Sequence, residues 1–125
     1  MIEITLDSAI AGLRAIVAEV GEDFVYAQKA DEAGWKSCLY VHNGAPDCIV
    51  GRYLASVGVP LERLAKADDG ASRGSIDAFN LMDALNHEGV VQASYGVSRF
   101  LRDVQERQDV GQAWGEALEI ALSRL

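Results

Sequence analysis

Residues 35–54 read WKSCLYVHNGAPDCIVGRYL and change from a strand pattern to a helix pattern within twenty residues. The run at 37–41 is rich in apolar and β-favouring residues and predicts a short strand. Asn43 and Gly44 then predict a turn. Pro46 suits the first turn of a helix because it has no N–H to leave unpaired there. We therefore expect a helix to begin near Pro46, directly after the turn.

Upstream of this stretch, the sequence predicts a helix and a second strand. Thr5 is a favoured helix N-cap, and the apolar stripe that follows keeps helical spacing up to a stop at Gly21. Residues 24–27 read FVYA and predict a short strand. A polar linker with one glycine separates this strand from the strand at 37–41, which is typical of a loose β-hairpin.

Downstream of the turn, apolar residues at helical spacing predict five more helices. Their boundaries are marked by Gly58, Pro60, Ser75, Gly89 and Gly111. Residues 66–75 read KADDGASRGS and predict a loop. The predicted fold is α+β and mainly α, with about six short helices and one small β-hairpin.

Composition bounds the class of protein. The chain has 125 residues, half of them hydrophobic and 24% charged, which is typical of a single folded domain over residues 1–125. Its net charge of −8 disfavours nucleic acid as a partner, because phosphate contacts need clustered lysine and arginine. The first ten residues lack a basic region ahead of an apolar run, and no apolar stretch reaches the roughly 20 residues that span a bilayer. We therefore expect a cytoplasmic protein without a membrane partner and with free thiols.

Cys48 and His42 are the residues with the most reactive side chains in the opening stretch. A thiol at a helix start has a lowered pKa, and His42 lies six residues upstream across the predicted turn. The alternative is that Cys48 packs as a small apolar residue. Nothing in the sequence supplies an oxyanion hole or a third partner, so we assign no catalytic residue and no cofactor.

A zinc site is only weakly indicated. Its candidate ligands are Cys38, His42, Cys48 and His87. Their types suit zinc, but the spacing C-x3-H-x5-C matches none of the common zinc patterns. We therefore predict no metal site.

Residues 48–66 also show the order of elements of a helix-turn-helix motif: a helix, a turn at Gly58 and a second short helix. Arg63 and Lys66 would then contact nucleic acid. Glu62 directly precedes Arg63, and Asp68 and Asp69 follow Lys66, whereas DNA-binding helices normally display more positive charge. A small DNA-binding regulator is therefore the alternative function.

A protein-binding role rests on aromatic residues near the predicted hairpin. Trp35 ends a polar loop beside a glycine, and an exposed indole there would anchor a partner, or else cover the edge of the hairpin. Together with Tyr40, His42 and Cys48 it forms the predicted binding set. The apolar stripe that ends at Leu125 is a candidate homodimer face.

Several blocks of this sequence resemble small proteins encoded by phages of actinobacteria, the mycobacteriophage-like group. The blocks are YVHNG at 40–44, PDCIVGR at 46–52, GVPL at 58–61 and QERQDVGQAWGEAL at 105–118. They keep the same order and together cover 30 of the 125 residues. That family has no assigned activity, so the resemblance implies only a context, a phage-encoded accessory protein in the host cytoplasm. We expect a non-enzymatic module that binds a host or phage protein.

Overall fold

The computed structural model describes residues 1–27, 29–30, 36–37, 39–69 and 76–125. Within these ranges the helices are α1 (Leu6–Val20), α2 (Ile49–Ser56), α3 (Leu61–Asp68), α4 (Ala78–His87), α5 (Tyr95–Asp109) and α6 (Trp114–Ser123). The strands are β1 (Ile2–Ile4), β2 (Lys29–Ala30), β3 (Lys36–Ser37), β4 (Val41–His42), β5 (Ala45–Pro46) and β6 (Val91–Ala93). The six helices confirm the mainly α, α+β prediction.

The first helix begins and ends where local chemistry predicts. Ser8 N donates to Thr5 Oγ1 at 3.1 Å, and Thr5 N donates to Ser8 Oγ at 3.0 Å, which forms a reciprocal capping box. Gly21 closes the helix with φ of 119°, a value that favours glycine. Both predicted boundaries of α1 are confirmed.

The turn at Asn43 and Gly44 is also present, but it joins two strands rather than a strand and a helix. Both residues have positive φ, 52° and 77°, and they connect β4 to β5 in an antiparallel pair. Positive φ at both central residues is typical of the tight turns that close β-hairpins. The predicted helical position of Pro46 is therefore wrong, because the proline pairs with Val41 in β5 and α2 begins three residues later.

The strand predicted at residues 24–27 is wrong as well. These residues form a loop whose backbone binds the start of α6. Trp114 N, at the first residue of the helix, donates to the carbonyl oxygen of Phe24 at 2.8 Å. The antiparallel pair on this side of the molecule joins β2 to β3 instead. Ser75, the predicted cap of the fourth helix, lies outside the described residues, and Asp77 caps α4 through Asn80 N at 2.7 Å.

A parallel pair joins β1, at the start of the chain, to β6, between α4 and α5, with Ile2 opposite Val91 and Ile4 opposite Ala93. Buried side chains from all six helices form one hydrophobic cluster, with Trp114, Tyr40, Tyr53 and Phe100 as its largest members. Four helices, α1, α2, α5 and α6, pack around one another at its centre. No helix in the described part of the chain has both the length and the hydropathy needed to cross a membrane.

Candidate functional site: an acidic groove between two helices

A groove of about 460 Å³ lies between α1 and α6. The two helices are antiparallel, because Arg14 near the middle of α1 contacts Glu119 near the middle of α6, while Glu22 beyond α1 contacts Gly115 early in α6. The groove therefore has two ends, one near Arg14 and Glu119 and the other near Glu22. We call it the α1/α6 groove.

Half of the ten residues that line the groove are apolar or glycine. Val17 of α1 and Leu118 of α6 are buried, and Ala18, Ala113 and Gly115 complete the apolar lining. Apolar side chains at the base of a groove favour the burial of apolar groups from a partner.

The loop after α1 forms the second end of the groove and is held by backbone hydrogen bonds. Gly115 N donates to the carbonyl oxygen of Glu22 at 3.0 Å, next to the bond from Trp114 N to Phe24. These bonds satisfy two of the N–H groups that the start of a helix leaves unpaired. A Cβ atom at Gly115 would lie 2.9 Å from the Cβ atom of Glu22, so the close approach of loop and helix requires glycine.

Charge along the groove is mainly negative. Four carboxylates line it, those of Glu22, Asp23, Glu116 and Glu119, against the single cation of Arg14. Arg14 Nη1 lies 3.2 Å from Glu119 Oε1, and both side chains are more than half exposed. The lining therefore has a formal charge of −3 at neutral pH and attracts cations.

Aromatic side chains lie behind the loop end of the groove. Phe24 packs edge-to-face on the buried ring of Trp114, with centroids 4.7 Å apart, and the Arg52 guanidinium carbon lies 5.6 Å from the same ring. Phe24 is 37% exposed and the next residue, Val25, is 52% exposed. The chain that supplies two of the carboxylates therefore continues directly into exposed apolar side chains.

Cys48 lies at the start of α2 as a buried N-cap and not as a reactive thiol. Its sulfur accepts hydrogen bonds from Gly51 N at 3.4 Å and from Gln105 Nε2 at 3.3 Å. Burial raises the pKa of the thiol from 9.0 to about 12, because desolvation outweighs the two hydrogen bonds. Of the two alternatives for Cys48, the burial of the residue favours packing over a thiol with a lowered pKa.

This geometry gives a test in a Cys38→Ser background, where Cys48 is the remaining cysteine. We expect alkylation of the folded protein to stay slow between pH 7 and 10, because the thiolate is scarce and the sulfur is enclosed. Mass spectrometry should show rapid modification only after urea unfolds the chain. Fast alkylation of the folded protein, with a rate that rises with pH and levels off above a pKa of about 8.5 as for an exposed thiol, would contradict the buried geometry.

The described members of the predicted binding set besides Cys48 are Tyr40 and His42. Tyr40 is buried, as is Cys48, and the Tyr40 hydroxyl donates to the carbonyl oxygen of Ile76 at 2.6 Å, so neither side chain is exposed in this structure; a partner contact by either one stays a prediction. His42 is half-buried in β4. Trp35 lies outside the described residues, and its role stays a prediction.

Two of the zinc candidates, Cys48 and His87, lie in different environments. Cys48 is enclosed in the core, His87 is exposed in the last turn of α4, and Cys38 lies outside the described residues. Among the residues that the structure does describe, no three histidine, cysteine or acidic side chains are placed to hold a metal ion together.

The helices of the predicted helix-turn-helix motif form as α2 and α3, joined by residues 57–60. Arg63, one of its two predicted contacts to nucleic acid, is paired with Glu88 through two hydrogen bonds, with Nε 2.7 Å from Oε1. The Arg63 guanidinium lowers the pKa of the Glu88 carboxyl, which keeps the pair ionised. Lys66 is exposed. One of the two cations is thus neutralised, which disfavours binding to phosphates.

The apolar stripe of α6 mostly faces the core of its own chain. Trp114, Leu118 and Ala121 are buried, whereas Leu125 is 61% exposed. A homodimer through this stripe stays a prediction. Of these four residues, Leu125 alone is exposed and could contact a second copy.

Comparisons of the chain with protein-family models, with curated proteins and with solved structures gave no match. The α1/α6 groove therefore rests on the geometry of this chain alone. The sequence gives one local signal for it, because Glu116 and Glu119 are three residues apart and lie on one helix face. Only the packing of α1 on α6 brings Glu22 and Asp23 to the same place.

Proposed function

We propose that this chain is a non-enzymatic protein-binding module that docks on a basic segment of another protein through the α1/α6 groove. The observation that carries the proposal is the pairing of an apolar lining with four carboxylates and one arginine. The resemblance to proteins of actinobacterial phages supports a host or phage protein as the partner. The chain would act as a phage-encoded accessory protein in the host cytoplasm.

Charge complementarity favours a protein partner over nucleic acid. Carboxylates repel phosphates, and the net charge of −8 extends that repulsion over the whole molecule. A segment with lysine or arginine beside apolar side chains would satisfy both parts of the groove. Complementary charge also speeds association and excludes acidic competitors.

A pull-down from actinobacterial lysate tests this proposal with three forms of the protein. The groove variant is Glu22→Gln with Glu116→Gln. The control variant is Glu62→Gln with Asp83→Asn, which makes the same charge change at exposed positions outside the groove. We expect the wild type and the control variant to retain the same protein in equal amounts. The amount that the groove variant retains should be lower by a factor of about ten or more, since each paired charge contributes to recognition.

Two results would contradict docking through the groove. Equal recovery of the retained protein by all three forms would exclude the groove as the docking site. Recovery that disappears after nuclease treatment would instead favour the DNA-binding alternative at residues 48–66.

A further inference from the structure

We infer that the partner of the α1/α6 groove carries an apolar side chain beside its lysine or arginine, and that this apolar side chain docks on Phe24 and Val25. This inference rests on the proposed function and names the chemistry of its partner more closely. Residues 22–25 read EDFV and are called the EDFV loop below. Three properties of the loop lead to the inference: its exposed apolar pair, its fixed attachment and its adjacent carboxylates.

Phe24 and Val25 expose apolar surface at two consecutive positions. Both are among the six large hydrophobic residues that the described part of the chain exposes, and they alone among the six adjoin in sequence. Single exposed apolar residues are ordinary, whereas adjoining ones favour contact with a partner. Aromatic side chains are also enriched where proteins bind one another.

The EDFV loop is held at both ends before any partner binds. Phe24 N donates to the carbonyl oxygen of Gly21 at 3.2 Å, and the first two residues of α6 donate to two carbonyl oxygens of the loop. Directly after the loop, Tyr26 is buried and its hydroxyl donates to Asp47 Oδ2. A segment that is already ordered loses less conformational entropy on binding, so this loop is suited to anchor a partner.

The two apolar side chains are themselves restricted. The ring of Phe24 packs at 72° to the ring of Trp114, which is fully buried and cannot move aside. Val25 is β-branched, which limits the rotation of its side chain. Neither side chain therefore has much rotamer freedom to lose when a partner covers it.

Glu22 and Asp23 place negative charge directly before the apolar pair. Both residues are exposed and line the groove. The Cα atoms of Asp23 and Val25 are at most about 7 Å apart, since an extended chain spans up to about 3.6 Å per residue. A partner that places a cation on these carboxylates brings its neighbouring side chains to the apolar pair. An apolar neighbour gains most from that position, because it removes apolar surface from water on both sides.

Two synthetic peptides of equal charge test the inference. The apolar peptide carries Lys-Leu-Leu-Arg between Gly-Ser flanks, and the polar peptide carries Lys-Ser-Ser-Arg between the same flanks. NMR titration of the isotope-labelled protein at low salt gives the dissociation constants, including weak ones.

The loop variant for this titration is Val25→Ser, and the matched control is Val110→Ser. Val110 is another exposed valine, and it lies outside the lining of the groove. Val25→Thr, which keeps the shape of the side chain, serves as a second loop variant. Circular dichroism checks that each variant is folded.

We expect the wild type to bind the apolar peptide at least about fivefold more tightly than the polar peptide, because burial of leucine adds to the charge contacts. Val25→Ser should reduce this preference to about twofold or less, since it removes apolar surface from the loop. Val110→Ser should leave the preference unchanged. The groove variant, Glu22→Gln with Glu116→Gln, should weaken the binding of both peptides by about tenfold.

Equal affinity of the wild type for both peptides, with the loss in the groove variant retained, would overturn the apolar contact and leave the proposed function intact. A preference that both loop variants leave unchanged would show that the apolar side chain docks elsewhere, which would also overturn the inference. Failure of both peptides to bind, or binding that the groove variant leaves unchanged, would overturn the proposed function itself. A dimer in light scattering that Val25→Ser dissociates would identify a second copy of this chain as the occupant and overturn the inference.

Discussion

Gly51→Ala is expected to lower the free energy of unfolding by about 3 kcal/mol, at the upper end of the range for overpacking a core. A Cβ atom at this position would lie 2.5 Å from the carbonyl oxygen of Tyr40 and 2.9 Å from its Cα atom. Both atoms belong to the backbone, so no side chain can rotate away from the clash. Alanine is otherwise the better helix former by about 1 kcal/mol, and the steric clash outweighs that gain.

The backbone of Tyr40 is poorly placed to move away from such a clash. Its N–H donates to Asp68 Oδ1 at 2.8 Å, and its carbonyl oxygen accepts from Asp47 N at 3.0 Å. The Tyr40 ring is fully buried. A shift of this segment would therefore disturb α3, the β4–β5 hairpin and the start of α2 together.

Urea unfolding followed by circular dichroism measures the effect, with Gly96→Ala as the matched control. Gly96 also lies in a helix, but a Cβ atom there would meet only Ser94 Oγ at 3.7 Å, an ordinary contact. We expect Gly96→Ala to be neutral or to stabilise by up to about 1 kcal/mol. If Gly51→Ala unfolds at the same urea concentration as the wild type, the packing of α2 on Tyr40 is wrong.

Gly51 shows why part of this fold could not be predicted from sequence. Its position in the apolar pattern of α2 predicts a helical residue, and nothing in that pattern indicates that a distant backbone lies against it. The boundaries that were predicted correctly depend on neighbouring residues, as with the Thr5 cap, the Gly21 stop and the turn at Asn43. Local chemistry of this kind is visible in the sequence.

The elements that were missed depend on contacts between distant residues. The parallel pairing of β1 with β6 joins positions about ninety residues apart, and three-residue strands carry too little pattern to be recognised. The loop at residues 24–27 has strand-like composition because Tyr26 is buried, and not because it pairs with another strand. Pro46 tolerates a strand as well as a helix start, since its missing N–H is harmless at a sheet edge.

The candidate site was missed for the same physical reason. The residues singled out in the sequence were reactive types, and the structure places Tyr40 and Cys48 in the core. The groove is built from ordinary acidic and small residues that matter only because α1 packs beside α6. A site defined by charge complementarity leaves no compact motif in one sequence, whereas a catalytic or metal site often does.

Gly12→Ala is expected to destabilise the fold by about 2 to 3 kcal/mol, because it disturbs the packing of α1 on α2. A Cβ atom at Gly12 would lie 2.4 Å from Cε1 and 2.7 Å from Cδ1 of Tyr53. The Tyr53 ring is fully buried, so it has no open space into which it could turn. Here the clash is with a side chain, and a second substitution can relieve it, which is not so at Gly51.

Tyr53→Leu provides that relief and makes the contact testable by a double-mutant cycle. Alone, Tyr53→Leu should destabilise by about 2 kcal/mol or more, because it leaves a cavity between α1 and α2. In the Gly12→Ala background the new methyl group partly fills this cavity, so the double variant should be more stable than the sum of the single changes by about 1 to 2 kcal/mol. Additive losses in urea unfolding would show that Gly12 and Tyr53 do not touch and would contradict the packing of α2 on α1.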